Sequence, residues 1–180
     1  MKTKICNFLV LLLFVAFSGY AQKNAISAGG QYPPQIAKPS LEGRLGVKGF
    51  SRTTTFKEIQ PVDLFKAFKE GKYSINFNFK ADGINERNIV LFDMTTTVKY
   101  NGETIAQSSR DGWPWLPGDM FIPAESFDFI PALEKLYARA TPTITFLPKG
   151  SYEIILEMKP SPKQAVKTGI APATIRFNIQ

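Results

Sequence analysis

The chain has 180 residues, 44% of them hydrophobic and 21% charged, with a formal net charge of +7. This is the composition of one globular domain and excludes a chain that is disordered throughout. It has no histidine and a single cysteine, Cys6. That excludes a disulfide scaffold, a Ser-His-Asp triad, a thiolate pair, and zinc or copper sites built from Cys and His.

The chain opens with Lys2 and Lys4, an apolar run from Phe8 to Phe17, and small residues Gly19 and Ala21 before Gln22. A basic start, a short apolar stretch and small residues at the cut are the marks of a secretory signal peptide over residues 1–21. The run falls short of the roughly 20 apolar residues that a membrane span needs. The mature chain is expected to start near Gln22, to lose Cys6 with the leader, and to carry a net charge reduced from +7 to +5 by the loss of Lys2 and Lys4. The expected location is the periplasm or the medium, as part of a bacterial envelope. The remaining basic residues are scattered, which describes a solvated surface better than a nucleic-acid track.

Residues 22–44 hold Gly29-Gly30, Pro33-Pro34 and Pro39 with few large apolar residues. They predict a flexible lead-in, with one domain over 45–180. Phe50 to Lys57 is rich in Thr and reads as an edge strand. Pro61 to Glu70 carries Val62, Phe65 and Phe68 at helical spacing and stops at Gly71, which predicts a short helix. Tyr73, Ile75, Phe77 and Phe79 alternate with Ser74, Asn76, Asn78 and Lys80, the period of a half-buried strand. Val90, Phe92, Met94, Thr96, Val98 and Tyr100 repeat the pattern, and Asn101-Gly102 then marks a two-residue hairpin. That hairpin sets Tyr100 opposite Glu103, Val98 opposite Ile105 and Asp93 opposite Arg110, a cross-strand ion pair.

Ser108 to Ala124 reads as a proline-stiffened loop holding both tryptophans, Trp113 and Trp115, flanked by Arg110, Asp111 and Asp119. Pro114 fixes its own torsion and restricts Trp113. Such a loop either tucks its indoles over the end of the core or presents them to a ligand. Pro131 to Ala140 predicts a second short helix with Ser126 or Asp128 as its cap. Ile144 and Phe146 are expected to pair across Pro148-Lys149-Gly150 with the strand carrying Tyr152, Ile154, Leu156 and Met158. The last strand carries Ile175, Phe177 and Ile179.

Six or so antiparallel strands with one apolar face each predict a mainly β fold, a β-sandwich with one or two short helices. A small β-barrel is the alternative. The ending, Leu147 to Met158 followed by Ile175–Ile179, resembles the final strands of bacterial immunoglobulin-like sandwiches. The resemblance spans about forty residues and implies a fold, not an activity.

No phosphate-binding glycine loop, dinucleotide fingerprint or calcium loop occurs, so neither a cofactor nor a metal is expected. The reading is an exported, non-catalytic binding or accessory module that contacts a protein partner through Arg110, Asp111, Trp113, Trp115 and Asp119. One alternative is a carbohydrate-binding domain using Trp113 and Trp115. Another is a small glycan hydrolase using two of Asp111, Asp119 and Glu125, since paired carboxylates are the minimum for that chemistry.

Overall fold

A computed structural model describes residues 38–134, 136, 146–164, 166 and 169–180, all within one compact unit, Ala37–Gln180. The expected leader and lead-in residues 22–37 lie outside the described residues, as do Ile144 and the last part of the second expected helix.

Wherever apolar residues alternate, the chain forms strands that bury one face. Among the described residues there are eight: β1 (Ser40–Lys48), β2 (Thr55–Phe56), β3 (Ser74–Asp82), β4 (Val90–Tyr100), β5 (Glu103–Trp115), β6 (Gly118–Ile122), β7 (Gly150–Pro160) and β8 (Ala173–Ile179). They make two sheets, β1-β3-β6 and β2-β8-β7-β4-β5, and no closed barrel. All pairs are antiparallel except the short β2–β8 pair, which is parallel. Helices α1 (Pro61–Lys69) and α2 (Phe129–Glu134), with a 3-10 turn at Ala124–Phe127, complete the mainly β fold. No described helix is long and apolar enough to cross a membrane.

One apolar core joins the two sheets. Phe77 and Phe79 of β3 stack at 5.0 Å, and Phe92 of β4 meets both edge-on at 5.3 and 5.2 Å. Farther along, Tyr152 of β7 stacks on Phe177 of β8 at 4.8 Å. Helix α1 starts as its residues dictate. Pro61 stands at the first helical position, where no backbone donor is needed, and Asp63 accepts from the Gln60 N–H at 3.2 Å.

Several expectations change. Residues 40–44, read as lead-in, belong to β1, where Leu41 faces the core. The Thr-rich edge strand shrinks to Thr55–Phe56 because Ser51 and Thr54 bond each other in a turn, Ser51 N–H to Thr54 Oγ1 at 2.9 Å. Small hydroxyl residues offer the backbone that alternative to a ladder. The hairpin expected across Pro148-Gly150 has no place in the sheet, because β7 lies between β4 and β8. Instead the chain before β7 is tied to the α1 approach, Leu147 N–H donating to the Ile59 carbonyl at 2.9 Å. The second helix begins at Phe129, ahead of Pro131, and neither Ser126 nor Asp128 caps it by side chain: Ser126 is buried within the 3-10 turn and the Asp128 carboxylate is engaged elsewhere.

Candidate functional site

The segment read as a loop is strand, turn and strand. β5 runs through Trp115, and Leu116-Pro117 carries the chain onto β6 in the other sheet. Two bulges in β5 decide where its side chains go. The hairpin starts as expected, with Asn101 and Gly102 both at positive φ and Tyr100 opposite Glu103. Ile105 is then an extra residue, so Val98 meets Ala106 and Met94 meets Arg110. A one-residue slip turns every later side chain to the other face.

Arg110 therefore does not oppose Asp93. It turns to the inner side of the sheet, where the 3-10 turn and α2 lie over the β4 and β5 strands. There its Nε donates to Asp128 Oδ2 at 2.6 Å and its Nη2 donates to Asp128 Oδ1. This bidentate hydrogen bond to Asp128 raises the Arg110 pKa above its ordinary value against an opposing desolvation, with the Asp128 charge adding to the rise. A raised pKa on a cation means a stabilisation that is complete below the unfolded-state value and lost only in strong base, so this contribution is constant across the neutral range. A second hydrogen bond, from Thr96 Oγ1 to the Phe127 carbonyl, pins the same turn to β4.

The second bulge falls at Asp111-Gly112. Gly112 takes a positive φ of 69° and donates its N–H to Asp93 Oδ1 at 2.8 Å. This is the role found for Asp93 in place of the expected ion pair. The bulge returns Trp113 to the face of Arg110, opposite Phe92. The Arg110 guanidinium lies 5.4 Å from the centre of the Trp113 ring, and the indole is 41% exposed. Beside Arg110 a hollow of about 220 Å³ is lined by Phe65, Glu125, Asp128, Ile130 and Pro131.

The structure thus joins Arg110 and Trp113 and separates the other expected site residues from them. Trp115 packs against the core, its indole N–H buried without a partner among the described residues. The two tryptophans consequently offer no common open platform. Asp111 is exposed on β5, Asp119 is on β6 in the other sheet, and Glu125 reaches Lys69 at 3.7 Å. Asp119 lines a groove on the sheet face and Glu125 lines the hollows beside α1, so these carboxylates stand at different hollows. No group of three His, Cys, Asp or Glu among the described residues could hold a metal ion.

The buried indole N–H predicts its own mutant. A buried donor left unsatisfied costs about 1–3 kcal/mol, while shrinking the ring loses apolar contact of similar size. Trp115→Phe is expected to unfold in urea within about 1 kcal/mol of the parent. A loss of several kcal/mol would mean that the N–H has a partner.

Two features escaped the sequence reading. Asp128 is 18 positions from Arg110, and only the bulge at Ile105 brings them together. The other is the outward face of β1-β3-β6. Across it Arg44, Asn78 and Asp119 form one row and Gly46, Asn76 and Phe121 the next. A groove of about 490 Å³ runs over these rows. The alternation of Ser74, Asn76 and Asn78 was visible as a polar face, but nothing local paired it with β6. No protein-family model matches the sequence, and no curated protein matches it.

Proposed function

We propose that the protein is an exported, non-catalytic binding module with an immunoglobulin-like β-sandwich fold. It acts in the cell envelope or outside the cell by docking a protein partner on the Trp113–Arg110 face. The export reading rests on residues 1–21, and the sandwich reading on two sheets that share one core.

The observation that carries the contact surface is the clamped Arg110. Asp128 holds the guanidinium from one side while its plane lies near the exposed Trp113 indole. Tryptophan and arginine supply much of the energy of protein interfaces, and holding them in place lowers the entropy lost on docking. The adjacent Phe65–Ile130–Pro131 hollow takes an apolar side chain from the partner, with Glu125, Lys69 and Asp128 as a polar rim. Affinity capture from the native envelope, comparing the parent with Trp113→Ala, tests this. One discrete partner held by the parent and lost from Trp113→Ala supports the surface. A partner held equally by both places the contact elsewhere.

A further inference from the structure

We propose that the outward face of β1-β3-β6 is a second binding site, one that takes an acidic glycan chain. It is centred on Phe121 and does not include Arg110 or Trp113, although Glu125 borders hollows of both faces, and its ligand class is different.

The face is built from three strands whose outward positions align. Phe121 stands 75% exposed on β6, an aromatic ring with no core role. In a strand, such a position is ordinarily polar, since the inward neighbours already supply the apolar face. Its ring borders two hollows. The 490 Å³ groove lies on the side of Arg44 and Asp119, and a second of about 570 Å³ lies on the side of Phe68, Ser74 and Glu125. A ring shared by two open hollows suits a polymer that passes over it rather than a compact molecule that enters one pocket.

The groove's chemistry names the polymer. Sugar rings have apolar faces that lie on an aromatic ring and hydroxyls that need both donors and acceptors. Asn78 donates to Asp119, which leaves its amide oxygen and further lone pairs of the carboxylate directed to solvent. Asn76, beside Phe121 in the same cross-strand row, donates to Ser74 Oγ at 3.3 Å and likewise keeps its amide oxygen. Gly46 completes that row, and a Cβ there would meet nothing within 4 Å. The absent side chain keeps the trough beside Phe121 open. Arg44 and Lys48 line the same groove, and neither has an ion-pair partner among the described residues. With two cations against one carboxylate, the described lining of the groove is net positive, which favours a ligand carrying negative charge. A uronate-bearing oligosaccharide meets all of these requirements at once.

Calorimetric titration tests the site, using oligogalacturonate, oligoalginate, neutral cello-oligosaccharide and a tetraglutamate peptide as probes. At least one uronate oligosaccharide is expected to bind, more tightly than the neutral sugar and the peptide, and more weakly as salt rises. Phe121→Ala is expected to weaken that binding about tenfold or more. Gly46→Val should do the same while folding normally, because its added methyl groups enter open space in a strand that favours β-branched residues. Arg44→Gln combined with Lys48→Gln should erase the preference for the acidic sugar. Four results would overturn the proposal. They are no binding of either uronate by folded protein, equal binding of tetraglutamate, binding untouched by Phe121→Ala and Gly46→Val, and binding lost in Trp113→Ala but not in Phe121→Ala.

Discussion

Phe92→Ala is expected to lower stability by about 3–5 kcal/mol, the range for truncating a fully buried aromatic side chain. Phe92 is completely buried, and its ring closes a three-ring cluster with Phe77 and Phe79 from the opposite sheet. Removing it opens a cavity where the two sheets meet, and the stacked pair at 5.0 Å leaves little freedom to collapse into it. At about 2–4 °C per kcal/mol for a domain of this size, the melting temperature falls by about 6–20 °C. Phe121→Ala provides the contrast. That ring is mostly in water, and its loss should change stability by no more than about 0.5 kcal/mol. Thermal melts followed by circular dichroism separate the two. Equal shifts would contradict the assignment of Phe92 to the shared core and of Phe121 to the outer face.

Asp128→Ala is expected to be the most damaging change around the Trp113 face, at about 2–3 kcal/mol. Two independent losses add. Asp128 has a positive φ of 50° between the 3-10 turn and α2, a conformation in which alanine is strained by about 1–2 kcal/mol. Its carboxylate also accepts both Arg110 hydrogen bonds, and charge-assisted bidentate pairs exceed ordinary surface ion pairs. Asp128→Asn tolerates the same φ and keeps an acceptor, so it should cost about 1 kcal/mol. Urea titrations give this ranking directly. The same variants report on the site. In a Trp115→Phe background all tryptophan emission comes from Trp113, and Asp128→Ala should raise its quenching by iodide as Arg110 leaves the ring. Equal costs for Ala and Asn would remove the backbone part of the argument, and unchanged quenching would remove the clamp.

The inward faces of the fold were legible residue by residue. Ile75, Phe77 and Phe79, then Val90 to Val98, then Tyr152 to Met158 and Ile175 to Ile179, are buried where a period of two placed them. That period is a local property, so a single strand displays it. The Asn101-Gly102 turn was equally local and formed as read. What failed was register beyond the turn. No feature of Thr104-Ile105-Ala106 announces a bulge, yet that one extra residue moved Arg110 from Asp93 to Asp128. Gly112 was the only local sign of the second bulge, and it stood among prolines that made the segment look like a loop. Proline is tolerated there because β5 is an edge strand, where the missing N–H has no ladder to serve. The groove over β1-β3-β6 was beyond reach for a different reason. Its rows combine residues more than 70 positions apart, such as Arg44 and Asp119, and only the sheet order brings them side by side.

In the proposed function the Trp113 face meets a protein partner in the envelope. Photo-crosslinking in the native host measures it most directly, with benzoylphenylalanine placed at position 113 and, as a control, at Thr104. Thr104 is exposed on the same strand about 30 Å away. One discrete crosslinked species is expected from position 113, absent from position 104 and lost when Asp128→Ala releases Arg110. No adduct from position 113, or the same adducts from both positions, would contradict it.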